Sequence, residues 1–250
     1  MPDIKQIESN EYEAFHSKKF FNEQWKIYQK LLDNNYIRHQ EMYSILHELL
    51  VSYFQKPFKM LDLGCGDASL TVDALLNTNI VFYQGIDLSV PALEIAKKNM
   101  ARIQCHTTFT KGDFSQSISE FALEGHNKFD AILMSFALHH LHLDEKCYLI
   151  EQLQNLLLPN GVLILIDIVR KQEEDRETYI QRYLDIIQKD WLSITPEEYS
   201  IMANHISSND FPETQHTFQE ISQKYGFALF ECLYRDSLDI TQMLCMYNAS

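Results

Sequence analysis

Apolar and polar positions along this chain follow two periods in turn, and the places where the period changes mark its elements. From about Ser17 to Phe54, apolar residues such as Phe20, Phe21, Tyr28, Leu31, Leu32, Met42, Leu46 and Leu50 recur near helical spacing. Two helices are predicted there, broken near Asp33-Asn34-Asn35. Pro57 ends the helical region, and the apolar run Phe58 to Leu63, leading into Gly64-Cys65-Gly66, reads as a buried strand entering a tight turn.

A regular alternation follows. Asp67 to Leu76 is predicted as a helix and Ile80 to Ile86 as a strand; Ser89 caps a helix with Pro91 in its first turn, running to about Ile103. Then come a strand at Thr107 to Lys111, a short helix near Ser115 to Leu123, a strand at Phe129 to Met134 and a helix at Asp144 to Leu157. The turn Pro159-Asn160-Gly161 opens a continuously apolar strand, Val162 to Ile168. Strands alternating with helices imply right-handed crossovers and a mostly parallel sheet.

Two charged amphipathic helices interrupt this pattern, one from about Glu173 to Lys189 and one beginning at Thr195-Pro196-Glu197-Glu198. A last helix, Gln215 to Tyr225, stops at Gly226, and Phe227 to Tyr234 and Ile240 to Tyr247 are expected to pair antiparallel. The expected fold is α/β: a doubly wound, mostly parallel sheet of seven strands with the last antiparallel. Within one domain, 1–56 forms an N-terminal helical cap, 57–169 the ligand-binding core, 170–213 a helical insertion or lid, and 214–250 the last helix and strand pair.

Composition narrows the partners. With 46% hydrophobic residues and only 7 Gly and 6 Pro, the chain is an ordinary globular protein. Its 21 Lys plus Arg against 35 Asp plus Glu give a net charge of −14, which repels a phosphate backbone and argues against nucleic acid. Five cysteines, odd in number and without a C-x-x-C spacing, read as reduced and mostly buried thiols. The start Met1-Pro2-Asp3-Ile4-Lys5-Gln6 lacks a signal-peptide pattern, and no apolar run reaches the roughly 18 residues of a membrane span. A cytoplasmic protein with no membrane partner is expected.

Candidate chemistry begins at Gly64 and Gly66, where missing β-carbons let a ligand approach the backbone at a strand's carboxyl end. Asp87, about 20 residues on at the tip of the second strand, can accept hydrogen bonds from ribose hydroxyls. A nucleoside-containing cofactor is the reading these residues support; a plain tight turn with a capping Asp87 is the bland alternative.

Further residues resemble the class I S-adenosylmethionine-dependent methyltransferases. Leu61-Asp62-Leu63-Gly64-Cys65-Gly66-Asp67-Ala68 looks like that family's first motif and Gly85-Ile86-Asp87-Leu88-Ser89 like its ribose motif. Lys111-Gly112-Asp113-Phe114, Phe129 to Ser135 and Leu158-Pro159-Asn160-Gly161-Val162-Leu163 are similar to its third-strand, fourth-strand and fifth-strand segments. The resemblance covers about Phe58 to Ile168. It implies S-adenosylmethionine as cofactor, with Asp62 near the methionine ammonium and Gly64, Cys65 and Gly66 against the methionine portion. Asp87 and Leu88 would lie at the ribose, Asp113 and Phe114 around the adenine, and Ser135 at the fourth strand's end. Ala68 departs from the family, standing where a third glycine is common; it is expected to add only a methyl group. Asp62 and Ser69 argue against a nicotinamide oxidoreductase.

The segment Met134 to His142 lacks the Pro-Pro-aromatic motif of adenine and amide N-methyltransferases. His139 and His140, being adjacent, are expected to point apart, and no metal is expected. His139 and His205 are the candidate catalytic bases, with Asp210 beside them in an acceptor pocket above the fourth and fifth strands. Tyr12, Trp25, Tyr28 and His140 are further candidates for substrate contact. The leading reading is methyl transfer to a small-molecule acceptor; a catalytically silent binding module and an aminopropyltransferase of the same fold are the alternatives. The methylated atom and the oligomeric state stay open.

Overall fold

The computed structural model describes residues 26–114, 118 and 128–250. Tyr12, Trp25 and most of the helix expected near Ser115 to Leu123 lie outside the described residues. The chain enters as a helix through 26–33, α1, and turns into α2, His39–Tyr53. Between them Asn35 and Arg38 adopt left-handed backbone, φ 51° and 58°, which ends one helix and redirects the next. The break falls where the asparagines predicted it.

From there strands and helices alternate: β1 (Phe58–Leu63), α3 (Ser69–Leu75), β2 (Ile80–Asp87), α4 (Val90–Met100), β3 (His106–Lys111) and β4 (Phe129–Ser135). A 3₁₀ turn, Leu138–His140, leads to α5 (Leu143–Leu156) and β5 (Leu157–Arg170). Then come α6 (Arg176–Asp190), α7 (Pro196–Asn209), β6 (Glu213–Thr214), α8 (Gln215–Lys224), β7 (Leu229–Arg235) and β8 (Thr241–Tyr247). Ser89 caps α4 by accepting from the Ala92 N–H, and Thr195 with Glu198 forms the expected capping box at α7.

The sheet order is β3-β2-β1-β4-β5-β8-β7. β1 to β5 are mutually parallel, β8 runs antiparallel to β5, and β7 antiparallel to β8. These are the seven strands expected; a two-residue addition off this path, β6, pairs with Val169 and Arg170 at the end of β5. It is too short to leave a period-2 signal in the sequence. Strands β1, β4, β5 and β8 are almost wholly buried, because helices cover both faces.

One core cluster packs α2, α3 and α4 on one face, and a second packs α5 and α8 on the other. A third joins α1 to the insertion above the strand ends: Ile27, Ile37, Tyr179, Tyr183, Trp191, Met202 and Ile206. Tyr36 stacks on Trp191 at 4.9 Å, and Lys30 donates to Glu198 at 2.7 Å. The N-terminal helix and the insertion therefore form one roof. Of the five cysteines, Cys65 and Cys245 are buried while Cys105, Cys147 and Cys232 are only half-buried, fewer buried thiols than composition suggested.

Candidate functional site

Two cavities lie under this roof and share walls. The first, about 280 Å³, is lined by Asp62, Gly64, Cys65, Gly66, Asp87 and Ser135, and also by Tyr28, Tyr43, Thr71, Ser89, Ala92 and Phe136. Gly64 and Gly66 carry the chain off β1 with φ of 71° and 52°, and a β-carbon on Gly64 would sit 3.0 Å from that of Ala137. Only glycine serves this turn without strain.

Asp62 is 1% exposed. Its Oδ2 accepts from Thr71 Oγ1 at 3.0 Å and from the Tyr83 hydroxyl at 2.8 Å. Burial nevertheless pushes its carboxyl up to about 6, so a cation arriving beside it would favour the ionised form. Asp87 accepts from the Gly66 N–H through Oδ2 at 2.8 Å and from the Ser89 N–H through Oδ1 at 2.7 Å. Each oxygen keeps a lone pair for a hydroxyl donor. A cradle without β-carbons, flanked by one carboxylate suited to an ammonium and another suited to a diol, fits S-adenosylmethionine.

Not every expected contact is there. Leu88 is 65% exposed and turns to solvent, since the Asp87 carboxylate pulls the following chain back through Ser89. Asp113 and Phe114 are not among the residues that line the cavity; they follow β3, and Phe114 packs against the second core cluster. Tyr43 and Thr71 were missed: with Ser135 they line the cavity, a meeting of α2, α3 and β4 with no local sequence signal. Ala68 has φ 53°, so the residue replacing a family glycine bears left-handed strain as well as a methyl group.

The second cavity, about 360 Å³, shares Tyr28 and Phe136 with the first. Its sides are apolar: Ile27, Leu31, Ile37, Ile168, Met202 and Ile206. Phe136 stands in left-handed backbone, φ 50°, with its N–H donated to the Ile166 carbonyl at 2.7 Å. This strained turn swings the ring out of β4 and between the cavities. Behind it His39 is 2% exposed, 5.0 Å from the Phe136 ring, with its imidazole pushed by burial down to about 4.

The far end of this cavity is polar and holds His139, His140, His205 and Asp210. His139 donates its backbone N–H to Asp167 Oδ2 at 3.0 Å, and its Nδ1 lies 2.5 Å from Asp167 Oδ1. Asp167 also takes the Ile168 N–H at 2.8 Å. Burial opposes charge on both partners, but their attraction outweighs it, raising the His139 imidazole and lowering the Asp167 carboxyl. With Nδ1 engaged, the Nε2 of His139 faces Asp210 Oδ1 at 3.7 Å. Asp167 was missed by sequence reasoning, although a lone carboxylate inside the run Leu163 to Ile168 was a visible signal.

His139 and His140 do not point apart. The 3₁₀ turn brings their ring centres to 4.0 Å, and His140 Nδ1 lies 3.5 Å from Asp210 Oδ1. Spacing along one turn could not foresee a carboxylate supplied 70 residues later by the end of α7. His205 Nε2 approaches the same oxygen at 4.0 Å. Burial pushes Asp210 up to about 6 and, with the neighbouring His139, pushes His140 down to about 4.

A family model described as methyltransferase domain matches residues 55–197. An uncharacterised methyltransferase of Bacillus mycoides (strain KBAB4) is 28% identical over 150 residues, covering 60% of this chain and 66% of that protein. The match thus spans just under two thirds of the length of such curated relatives. The plantazolicin methyltransferase BpumL in complex with SAH aligns with a TM-score of 0.59 at 17% identity, covering 87% of both chains. The magnesium protoporphyrin IX methyltransferase ChlM from Synechocystis PCC 6803, with bound SAM, gives 0.55 at 16% identity over 85% of this chain and 80% of that one. At such identities the solved structures speak for the fold. The family model covers more than half of the chain and includes Asp62, Gly64, Gly66, Asp87 and Asp167. With a matching cofactor cradle and sheet order, the chain belongs to the class I S-adenosylmethionine-dependent methyltransferases.

Proposed function

We propose that the chain transfers the methyl group of S-adenosylmethionine to a small, largely apolar acceptor bearing a protic oxygen or nitrogen. One observation carries this reading: the cofactor cavity and an apolar cavity with a polar end meet at the same two rings, Tyr28 and Phe136. A volume of about 360 Å³ suits a small molecule and excludes a polymer.

S-adenosylmethionine, when bound, supplies a methyl group already activated on a sulfonium. The protein's part is alignment, exclusion of water and removal of one proton. Asp62 holds the ammonium, Gly64 and Gly66 admit the methionine portion, and Asp87 takes the ribose hydroxyls. Tyr28 and Phe136 fix where the acceptor meets the cofactor. His139, with Nδ1–H given to Asp167, presents the Nε2 lone pair to the cavity and accepts the proton. His205 has a half-exposed ring and, among the described residues, no carboxylate within hydrogen-bonding distance, so it is the weaker base.

The test is a panel of small hydroxylated and aminated aromatic or alkyl compounds, read out as S-adenosylhomocysteine release. Turnover on a member of the panel is expected. Tight S-adenosylmethionine binding with no release on any of them would instead describe a silent binding module.

A further inference from the structure

We propose that the polar end of the acceptor cavity binds one divalent transition-metal ion through His139, His140 and Asp210, with a further position open to the cavity. The ion's use in catalysis rests on the acceptor reading above; its binding does not.

Asp210 stands at the centre of this cluster. It is 4% exposed, and its Oδ1 has no hydrogen-bond partner among the described residues. A buried, unanswered carboxylate oxygen is costly, and structures keep one where something is meant to meet it. Three imidazole nitrogens surround this oxygen at 3.5, 3.7 and 4.0 Å. Those separations are too long for hydrogen bonds. They approach the ~3.3 Å that separates donor atoms sharing one tetrahedral ion with bonds of about 2.0–2.1 Å. The donor atoms offered by His139, His140 and Asp210 all lie within 4.8 Å of one another.

The surroundings support the same reading. His139 gives Nδ1 to Asp167, the outer carboxylate that orients a metal-binding imidazole and fixes its free nitrogen. Buried Lys146, whose charge bears on His139 and Asp210, donates to the Phe211 carbonyl and lies 3.6 Å from Glu213, which answers its charge. Arg176 donates to the Asp210 carbonyl at 2.7 Å and the Ser207 carbonyl at 2.6 Å, pinning the turn that delivers Asp210. Loading the site costs one weak contact, the 3.2 Å approach of His140 Nδ1 to the Asn209 carbonyl.

Two imidazole nitrogens and one carboxylate oxygen suit Zn²⁺, Co²⁺ or Ni²⁺ and not Mg²⁺ or Ca²⁺, which take oxygen donors. A hydroxyl or amine at the end of the apolar cavity would take the open position, where the ion's charge lowers its pKa, and His205, whose Nε2 lies 4.0 Å from Asp210 Oδ1, stands beside it to accept the proton. The single lone pair of His139 Nε2 then has two exclusive uses: ligand in the loaded protein, proton acceptor in the metal-free one.

The experiment titrates the chelator-stripped full chain with Zn²⁺ and Co²⁺ by calorimetry, with Mg²⁺ as control, and records the visible spectrum of the Co²⁺ form. One ion per chain and the intense bands of four-coordinate Co²⁺ are expected. Asp167→Asn should weaken Zn²⁺ binding by roughly 10- to 100-fold, and Asp210→Asn by at least as much. The exposed His216→Ala should leave it unchanged. His140→Gln, at a side chain 40% exposed, carries the test if Asp210→Asn does not fold. Absence of Zn²⁺ and Co²⁺ binding, or equal losses in His216→Ala, overturns the site, as does full affinity in Asp210→Asn or, where that variant does not fold, in His140→Gln. Titrating the same samples with S-adenosylmethionine separates the two readings. Cofactor binding without metal binding refutes the metal alone, and metal binding without cofactor binding refutes methyl transfer alone.

Discussion

The two cavities that meet at Tyr28 and Phe136 are built in opposite ways. The cofactor cavity draws most of its wall from three short stretches at strand ends, Asp62 to Thr71, Asp87 to Ala92, and Ser135 with Phe136. Its two carboxylates are each held by two hydrogen bonds before any ligand arrives. The acceptor cavity gathers side chains from α1, the 3₁₀ turn, β5, α6 and α7, and leaves one carboxylate oxygen unanswered. A ligand common to a whole family can be met by fixed, local backbone geometry. A ligand particular to one chain is met by elements inserted around that frame, where spare polar capacity is left for it.

The sharpest way to break this comparison is at the acceptor's polar end. His139→Ala should lower methyl transfer by roughly 100- to 10,000-fold, the span of general acid–base catalysis, while S-adenosylmethionine affinity stays within about twofold. Stopped turnover with a calorimetric titration measures both. If cofactor affinity falls with turnover, the two cavities are one coupled site and their separation at Tyr28 and Phe136 is wrong.

The same contrast explains what the sequence could tell. Gly64, Gly66 and Asp87 were legible because left-handed turns and strand tips restrict residue type over a few positions. His139, His205 and Asp210 were legible as candidates, but their meeting was not. Asp210 is brought to the histidines by tertiary ties, Arg176 to the Asp210 carbonyl across 34 residues and the Phe211 N–H to the His139 carbonyl at 2.8 Å. Asp167 announced itself as a charge inside a buried strand, yet its partner is set by the register of β4 on β5, which pairs Ser135 with Ile166. Strand β6 and the meeting of Tyr43 with Ser135 are tertiary facts with no local period to betray them.

On the cofactor side the next effect is smaller. Asp87→Ala removes the acceptor for two backbone N–H groups as well as for the ribose, and should weaken S-adenosylmethionine by about 1.5 to 3 kcal/mol. Zn²⁺ affinity at the other end should not change. A loss of both would mean that the turn after β1 supports the acceptor cavity too.

Asp62 sharpens the comparison through pH. Its folded pKa of about 6 lies above the ordinary 3.8, so the free protein protonates it as pH falls through 6. The cofactor's ammonium prefers the carboxylate, so affinity is full above pH 7 and falls about tenfold by pH 5. Asp62→Asn should flatten that dependence. The stability sign is the reverse: a raised acid destabilises the free fold as pH rises from 3.8 through 6. Asp62→Asn should therefore stabilise the ligand-free protein at pH 7, by on the order of 1 to 3 kcal/mol. A flat affinity profile in the unaltered protein would remove Asp62 from the ammonium.

The smallest effect tests how fixed the cofactor frame is. Ala68 sits at φ 53° and is 3% exposed, so Ala68→Gly changes three terms at once. Relief of left-handed strain favours glycine by roughly 1 to 2 kcal/mol. The freer unfolded chain opposes it by about 0.4 to 1 kcal/mol, and the lost buried methyl by about 0.8 kcal/mol. The sum lies within about 1 kcal/mol of zero, a shift in Tm of no more than roughly 4 °C. Cofactor affinity should not move, because Ala68 does not line the cavity. A fall in Tm well beyond that range would mean that the methyl group's packing between β1 and α3 outweighs the strain, so that the alanine is the better residue here.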